Sequence, residues 1–431
     1  MILSFQTDQR VVVTGIGLVT SVGADRETSW AALQRGESGA RRLPPHPDLP
    51  AGTLAATVEN LPLDFPGQTK HLPMLRSAAR EALSDAGLEE PLQRREAGLE
   101  PHRIGCLIST HMGDLRHTAL RLGLSDRLPA PEWPWWTQWS PNSAATYLTH
   151  EFEIHGICQT LAAACASSLL AINQAARELR EGRCDAILAG GSEAVEPLMA
   201  AGFTRMGVLA TADTPAQACR PFHRDRNGFV MGEGAAILML ERMDHAVRRG
   251  ADIYAEILGG AAMTDTHHIT SLTTEGSALP HLLRHTLRKS GLAPSDVQLV
   301  SAHGTGTQQN DVLETLALRK ALGADADKAS VTATKSALGH LVNAAGGAEL
   351  AIALLALRDG FAPPTLNLDN PDPQCDLDCT PQIGCQRPLE HALKTSIAFG
   401  GHLVATAVRR WSGRHARAAQ PLQTSFYRRA A

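Results

Sequence analysis

Four separated stretches of this chain carry residue types that can do chemistry together. The first is Gly156–Ser168, GICQTLAAACASS, where small residues lead to Cys165 and an amphipathic helix follows, marked by Leu169, Leu170, Ile172, Ala175, Ala176 and Leu179. A thiol at a helix N-terminus meets unpaired N–H groups and the positive end of the dipole. Both favour the nucleophilic thiolate, and the same N–H groups can hold an oxyanion. The three alanines before the cysteine let the backbone turn sharply. A buried structural cysteine is the alternative, and Cys106, Cys158 and Cys184 are left under that reading.

The second stretch is Ser301–Asp311, SAHGTGTQQND, in which His303 follows a strand end and opens a Gly-Thr-Gly-Thr loop, so the ring is presented rather than packed. Thr305 and Thr307 beside it suit hydrogen bonding to an extended, amide-bearing ligand. The third, TKSALGHLVNAAGGAEL, carries Lys335, His340 and Glu349 around a glycine-bearing loop and a helix start. With His340 beside Cys165, the two histidines can donate two hydrogen bonds to one carbonyl oxygen, an oxyanion site made of side chains. The fourth, SIAFGG, ends a strand in Phe399 and a diglycine, which frees backbone N–H groups where a ligand can approach closely.

The elements that must position these residues alternate in type. Val11–Val13 is a β-branched strand, and Thr14-Gly15-Ile16-Gly17 after it is expected to be a tight turn, because the third glycine and the later acidic residue of a dinucleotide fingerprint are missing. Leu75, Ala78, Ala79, Ala82, Leu83 and Ala86 recur at helical spacing, with Gly87 placed to stop the helix, and Ile104–Ser109 is the next strand. The second half repeats the pattern, with a helix over Leu282–Ser290 closed by Gly291 and a strand over Val297–Ala302.

Three pairings keep the same order: Val11–Ser21 with Ala255–Asp265, Ala82–Leu88 with Thr286–Leu292, and Cys165–Gly182 with His340–Gly360. The chain reads as internally duplicated, with the halves meeting near Arg248–Ile253. Unbroken apolar strands such as Ala186–Leu188 and Ala235–Leu240 imply an α/β fold of buried sheets with helices on their faces.

Composition bounds what such a site can serve. Of 431 residues 43% are hydrophobic and only 4% aromatic, so the core must pack through small aliphatic side chains. The net charge of −4 supplies no global basic field for nucleic acid or an anionic membrane. None of the eight cysteines forms a CxxC pair, and Cys375, Cys379 and Cys385 lack a fourth ligand, so no metal is expected. Unpaired thiols, no basic-then-apolar leader and no run of about 18 apolar residues give the expectation of a cytoplasmic, soluble protein.

Cys165 in AAACASS, His303 in HGTGT, His340 in KSALGH and the AFGG turn stand in the order of the β-ketoacyl-ACP synthases, and the chain resembles the Cys-His-His condensing enzymes of type I/II. AGGSEA, CRPFHRDRNGFVMGEGAA and PPTLNLDNPDPQCDLD add to a likeness over about residues 10 to 410. The resemblance implies a thiolase fold, a five-layer αβαβα sandwich of two duplicated halves. Residues 1–253 would carry the nucleophile, 254–411 the histidines, and 412–431 a disordered tail.

It further implies acyl transfer to Cys165, with the N–H groups of Cys165 and Phe399 holding the oxyanion. A decarboxylative Claisen condensation with a malonyl thioester at His303 and His340 follows. Lys335 and Glu349 would support the site electrostatically, Thr270, Thr305 and Thr307 would line the pantetheine arm, and Phe399 would gate the acyl pocket.

No tightly bound cofactor is implied; phosphopantetheine enters on an acyl carrier protein, for which Arg205, Arg220, Arg224 and Arg226 are docking candidates. The chain would form a homodimer or pair with a homologous ketosynthase subunit. Departures from the family pattern concern the substrate. Ala398 precedes Phe399, His402-Leu403 follows the diglycine, Met112 stands at what resembles the chain-length gate, and Trp133–Trp139 holds four of the six tryptophans. These point to a specialised polyketide, polyene or fatty acid pathway. A housekeeping elongation enzyme and a non-condensing chain-length-factor-like subunit are the alternatives. A thiolase is disfavoured because the AFGG region offers no second cysteine.

Overall fold

The computed structural model describes residues 10–45, 49–63, 68–110, 140–271, 273, 278–413 and 415–420. Met112 and Trp133–Trp139 lie outside the described residues.

Strand β1 (Val11–Val19) is buried at all nine positions and does not stop at Gly15. The expected tight turn is therefore corrected. Helix α1 (His71–Asp85) lies across the strand so closely that a Cβ on Gly15 would sit 2.0 Å from the Ala82 carbonyl oxygen, and one on Gly17 would sit 1.7 Å from that of Ala78. The glycines serve strand-to-helix contact, not a bend. The apolar face read from the sequence is the buried one, and Gly87 adopts φ +68 just beyond the helix. There Leu88 N–H reaches back to Leu83 O at 2.8 Å, closing a Schellman motif.

The remaining strands of the main sheet are β2 (Ile104–Ser109), β3 (Cys158–Leu161), β4 (Ala186–Glu193), β5 (Gly234–Arg242), β6 (Ala255–Thr264), β7 (Leu299–Ser301), β8 (Ser330–Thr332), β9 (His391–Ala398) and β10 (His402–Arg410). Their order is β3-β2-β4-β5-β1-β6-β10-β9-β7-β8. From the centre outward the first five read β1-β5-β4-β2-β3 and the second five β6-β10-β9-β7-β8, the same order shifted by five strands. The directions repeat too: β2 is parallel to β3 and β4, and β5 antiparallel to β4 and β1, as β7 is parallel to β8 and β9, and β10 antiparallel to β9 and β6. The duplication read from the three sequence pairings is thus present in the topology. The two copies join where Val11, Val12 and Val13 pair with Ile257, Glu256 and Ala255.

Alternate residues of each strand enter different cores. Ile104, Cys106 and Ile108 pack with α1, whereas Leu107 faces a central layer built from α2 (Ser167–Arg180) and α5 (Ala345–Asp359). In the second half Leu393 and Ala405 face α3 (Leu279–Lys289) and α4 (Gln308–Leu322), while Ala392 and Val404 face the central layer. Helix α5, AGGAELAIALLALRD, is buried on every side except at its last residue, as an apolar helix between two sheets must be. The arrangement is the five-layer αβαβα sandwich of the thiolase fold.

The tail expectation is corrected for its first residues. Ile253 N–H donates to His415 O at 2.8 Å, Arg417 N–H donates to Ile253 O at 2.9 Å, and the Arg417 guanidinium pairs with Asp85 and lies 4.9 Å over the Tyr254 ring. Among the described residues no helix is long and apolar enough to cross a membrane.

Candidate active site

The loop between β3 and α2 turns on Ala164, whose φ of +45 lies in the left-handed region that any residue with a Cβ enters at a cost. Ser167 fixes it: its hydroxyl accepts Ala163 N–H at 2.7 Å and donates to Ala164 O at 2.6 Å. Cys165 is thereby thrown against the central layer, 7% exposed. Cys165 directly precedes Ala166, the cap of α2, which begins at Ser167, so the thiol stands at the helix N-terminus as expected, but burial works against its ionisation. Burial pushes the Cys165 thiol up to about 12, against the opposing influence of the Lys335 charge. The resting sulfur keeps its proton.

His340 reaches it from the other half of the molecule, with Nε2 at 3.1 Å from the Cys165 Sγ. Its Nδ1 accepts the Val342 N–H at 3.2 Å, so the ring proton is on Nε2. The edge of Phe229 and the ring of His303 flank it, with centroids 5.0 and 5.5 Å away.

His303 lies two residues beyond the end of β7, and its loop hangs on two carboxylates of α4. Glu314 accepts the N–H groups of His303 at 2.7 Å and Gly304 at 2.8 Å, and Asp311 accepts those of Thr305 at 3.1 Å and Gly306 at 3.2 Å. Lys335 Nζ stands 3.3 Å from His303 Nδ1 and donates to its carbonyl at 2.5 Å. Glu349 ion-pairs with Lys335 through one oxygen and with Lys394 at 2.6 Å through the other. Burial first and the Lys335 charge second hold both imidazoles well below the usual histidine range. The site thus holds a thiol and two neutral rings, with His340 able to donate from Nε2 and His303 left to do the same.

Cys165, His303, His340, Phe399, Thr270, Thr305 and Thr307 all line one cavity of about 250 Å³, together with Phe203 and Phe229. Lys335 and Glu349 lie behind the histidines, both buried. Of the docking candidates, Arg205 and Arg224 are exposed and Arg220 is half-buried. Arg226 is corrected. It is 1% exposed, bonded to Asp372 at 2.6 Å and to the carbonyls of His223, Thr307 and Gln308, so it props the loop and presents nothing to a partner.

Sequence reasoning missed Asp311, Glu314, Phe229 and Lys394. The signal for the carboxylates was their i, i+3 spacing directly after the glycine loop. For Lys394 it was a lone charge within the apolar strand HALKTSIA.

Models of the beta-ketoacyl synthase N-terminal and C-terminal domains match residues 69–246 and 254–369. The chain is 34% identical to the 3-oxoacyl-[acyl-carrier-protein] synthase 2 of Rhizobium meliloti, over 94% of this chain and 100% of that one. It is also 34% identical to a putative polyketide beta-ketoacyl synthase 1 of Streptomyces halstedii, over 91% and 96%. Among solved structures it is similar to a chain of the complex of a type II PKS acyl-carrier protein with its ketosynthase bound to the hexaketide, with TM-score 0.86 and 31% identity over 94% of this chain and 100% of that one. The ishigamide ketosynthase/chain length factor gives TM-score 0.84 and 30% identity over 94% and 100%.

Proposed function

The chain belongs to the β-ketoacyl synthase family, and from that premise we propose that it is a β-ketoacyl-[acyl-carrier-protein] synthase using Cys165, His303 and His340. In the first stage the Cys165 sulfur bonds to the acyl carbon of a thioester on the pantetheine arm. The bond to the pantetheine sulfur breaks, and the thiol proton leaves on that sulfur, so no permanent base is needed. The N–H groups of Cys165 and Phe399 hold the intermediate oxyanion.

In the second stage a malonyl thioester binds with its carbonyl oxygen between the Nε2–H groups of His303 and His340. Loss of carbon dioxide leaves its electron pair in an enolate that these donors stabilise. The enolate carbon attacks the acyl carbon on Cys165, the carbon–sulfur bond breaks, and the thiolate regains a proton from water. Neutral rings suit this task, because they donate at any pH above their depressed titration range. Lys335 and Glu349 maintain that state.

The observation that carries the reading is His340 Nε2 at 3.1 Å from the Cys165 sulfur, with its other nitrogen committed to a backbone N–H. A chain-length-factor role, which needs no nucleophile, does not account for that pairing. Residues 1–253 then supply the nucleophile and 254–411 the two histidines. Thr270, Thr305 and Thr307 line the approach of the arm, brought by an acidic acyl carrier protein to a homodimer or a heterodimer with a homologous chain in the cytoplasm. The Ala398 and His402-Leu403 departures suit a specialised polyketide, polyene or fatty acid pathway.

Mixing with acyl-loaded carrier protein should add the acyl mass to the wild-type enzyme and nothing to Cys165→Ala; a mass shift in the variant sinks the assignment. A panel of short, long and unsaturated acyl chains tests the pathway, with preference for long saturated chains counting against specialisation.

A further inference from the structure

Lys394 is the second buried ammonium behind the histidines, and the chemistry above does not use it. It sits in β9 with no exposed surface. Its Nζ meets the Glu349 carboxylate at 2.6 Å, the carbonyl oxygens of Ser301 and Ala302 at 3.3 Å each, and that of Thr395. Ser301 and Ala302 are the two residues directly before His303. The next residue along, Thr395, accepts the His303 N–H at 3.2 Å and donates its own hydroxyl to Glu314 at 2.5 Å.

Placing an ammonium inside a sheet covered on both faces is unfavourable unless its partners are well arranged, and an aliphatic side chain would fill the same volume without that cost. Here the partners are the strand end that carries His303 and the carboxylate that holds Lys335 against His303 Nδ1. One cation therefore spans both supports of the same ring.

We propose that Lys394 is a positioning residue for the decarboxylation half of the reaction, a fixed internal cation that clamps the His303 strand end to Glu349 and so keeps the His303 Nε2–H aimed into the cavity. The inference rests on the condensing-enzyme reading. It assigns Lys394 to the second stage alone, since none of its contacts reaches the Cys165 loop. The groups facing His303 are Lys335 and His340 from the loop after β8, Glu314 from α4, Glu349 from α5 and Lys394 from β9, with Cys165 beyond His340. Lys394 and Lys335 both oppose protonation of His303.

The test compares the two half-reactions in full-length Lys394→Met. Acylation of Cys165 by acyl-loaded carrier protein, followed by mass, should stay within about threefold of wild type. Release of carbon dioxide from malonyl-loaded carrier protein should fall about 30-fold or more, with its acid limb displaced to higher pH. An unchanged decarboxylation rate overturns the proposal. So does an equal loss of both half-reactions together with lowered thermal stability, which marks a purely structural lysine. If the wild-type protein itself condenses nothing, the functional reading fails instead. The NMR titration of the His303 ring then still decides the lysine's role: a rise on Lys394→Met supports it, and an unmoved ring overturns it.

Discussion

Lys335 Nζ stands 3.3 Å from His303 Nδ1, and an ammonium has only protons to offer, so the imidazole must keep its own proton on Nε2. A positive charge at that distance also opposes any second proton on the ring. Without it, His303 titrates nearer the ordinary histidine range. Lys335→Met should therefore lower decarboxylation about a hundredfold at neutral pH and move its acid limb upward. A pH–rate profile of carbon dioxide release checks both, and a limb that stays put or moves down refutes the claim that the Lys335 charge opposes protonation of His303.

Burial keeps the Cys165 thiol protonated through the neutral range, with a titration near 12. Its alkylation by iodoacetamide should rise about tenfold for each pH unit between 7 and 10, without levelling off, because only the thiolate reacts. A plateau below pH 8 would show that the His340 N–H and the backbone stabilise the thiolate more than burial opposes it.

Glu314 carries the His303 loop by three contacts, to two backbone N–H groups and the Thr395 hydroxyl. Glu314→Ala leaves the Gly304 N–H and the Thr395 hydroxyl without an acceptor and the His303 N–H with Thr395 alone, and should cost about 3 kcal/mol of stability by chemical denaturation. Carbon dioxide release should fall as the ring loses its aim, while acylation of Cys165, supported from a different loop, should suffer less.

The arginines divide by exposure. Arg205→Glu and Arg224→Glu should raise KM for the carrier protein about fivefold at low salt, and the difference should shrink as salt is added. Arg226→Ala should lower thermal stability through the loss of the Asp372 pair and of the hydrogen bonds to three carbonyls, and leave the salt dependence of KM unchanged. Equal KM effects from all three would mean that Arg226 acts at the surface.

Gly17→Ala places a methyl carbon 1.7 Å from the Ala78 carbonyl oxygen, where backbone must move, and should destabilise the protein by about 3 kcal/mol. A melting temperature equal to that of wild type would show that β1 and α1 can separate without loss.

How much of this was legible in the sequence depended on whether the signal was local. The periodic face of α1 and its glycine stop, the strand Ile104–Ser109 and the three repeat pairings are short-range patterns, and the topology carries each of them. The glycines of β1 carry no local sign of their role, because its cause is a helix some 60 residues downstream, and nothing local separates a turn from a close crossing. Arg226 hides its role for a related reason: an arginine among arginines looks exposed until Asp372 and three carbonyls close around it. Type and spacing single out Cys165, His303 and His340, which line one cavity, but Asp311, Glu314 and Lys394 act by satisfying backbone groups. That role becomes visible only when the hydrogen-bond partners are known.

The repeated topology has one more consequence. Cys165 and His340 head corresponding loops, each entering the central helix of its own half, so the 3.1 Å gap between them is spanned by two versions of one structural position. Two identical copies related by symmetry would have to present the same side chain from both sides, sulfur to sulfur or ring to ring. Covalent joining of the copies breaks that equivalence. It lets one occurrence of the position become a nucleophile and the other a proton-bearing donor, so the asymmetry of the reaction is written into a nearly symmetric scaffold.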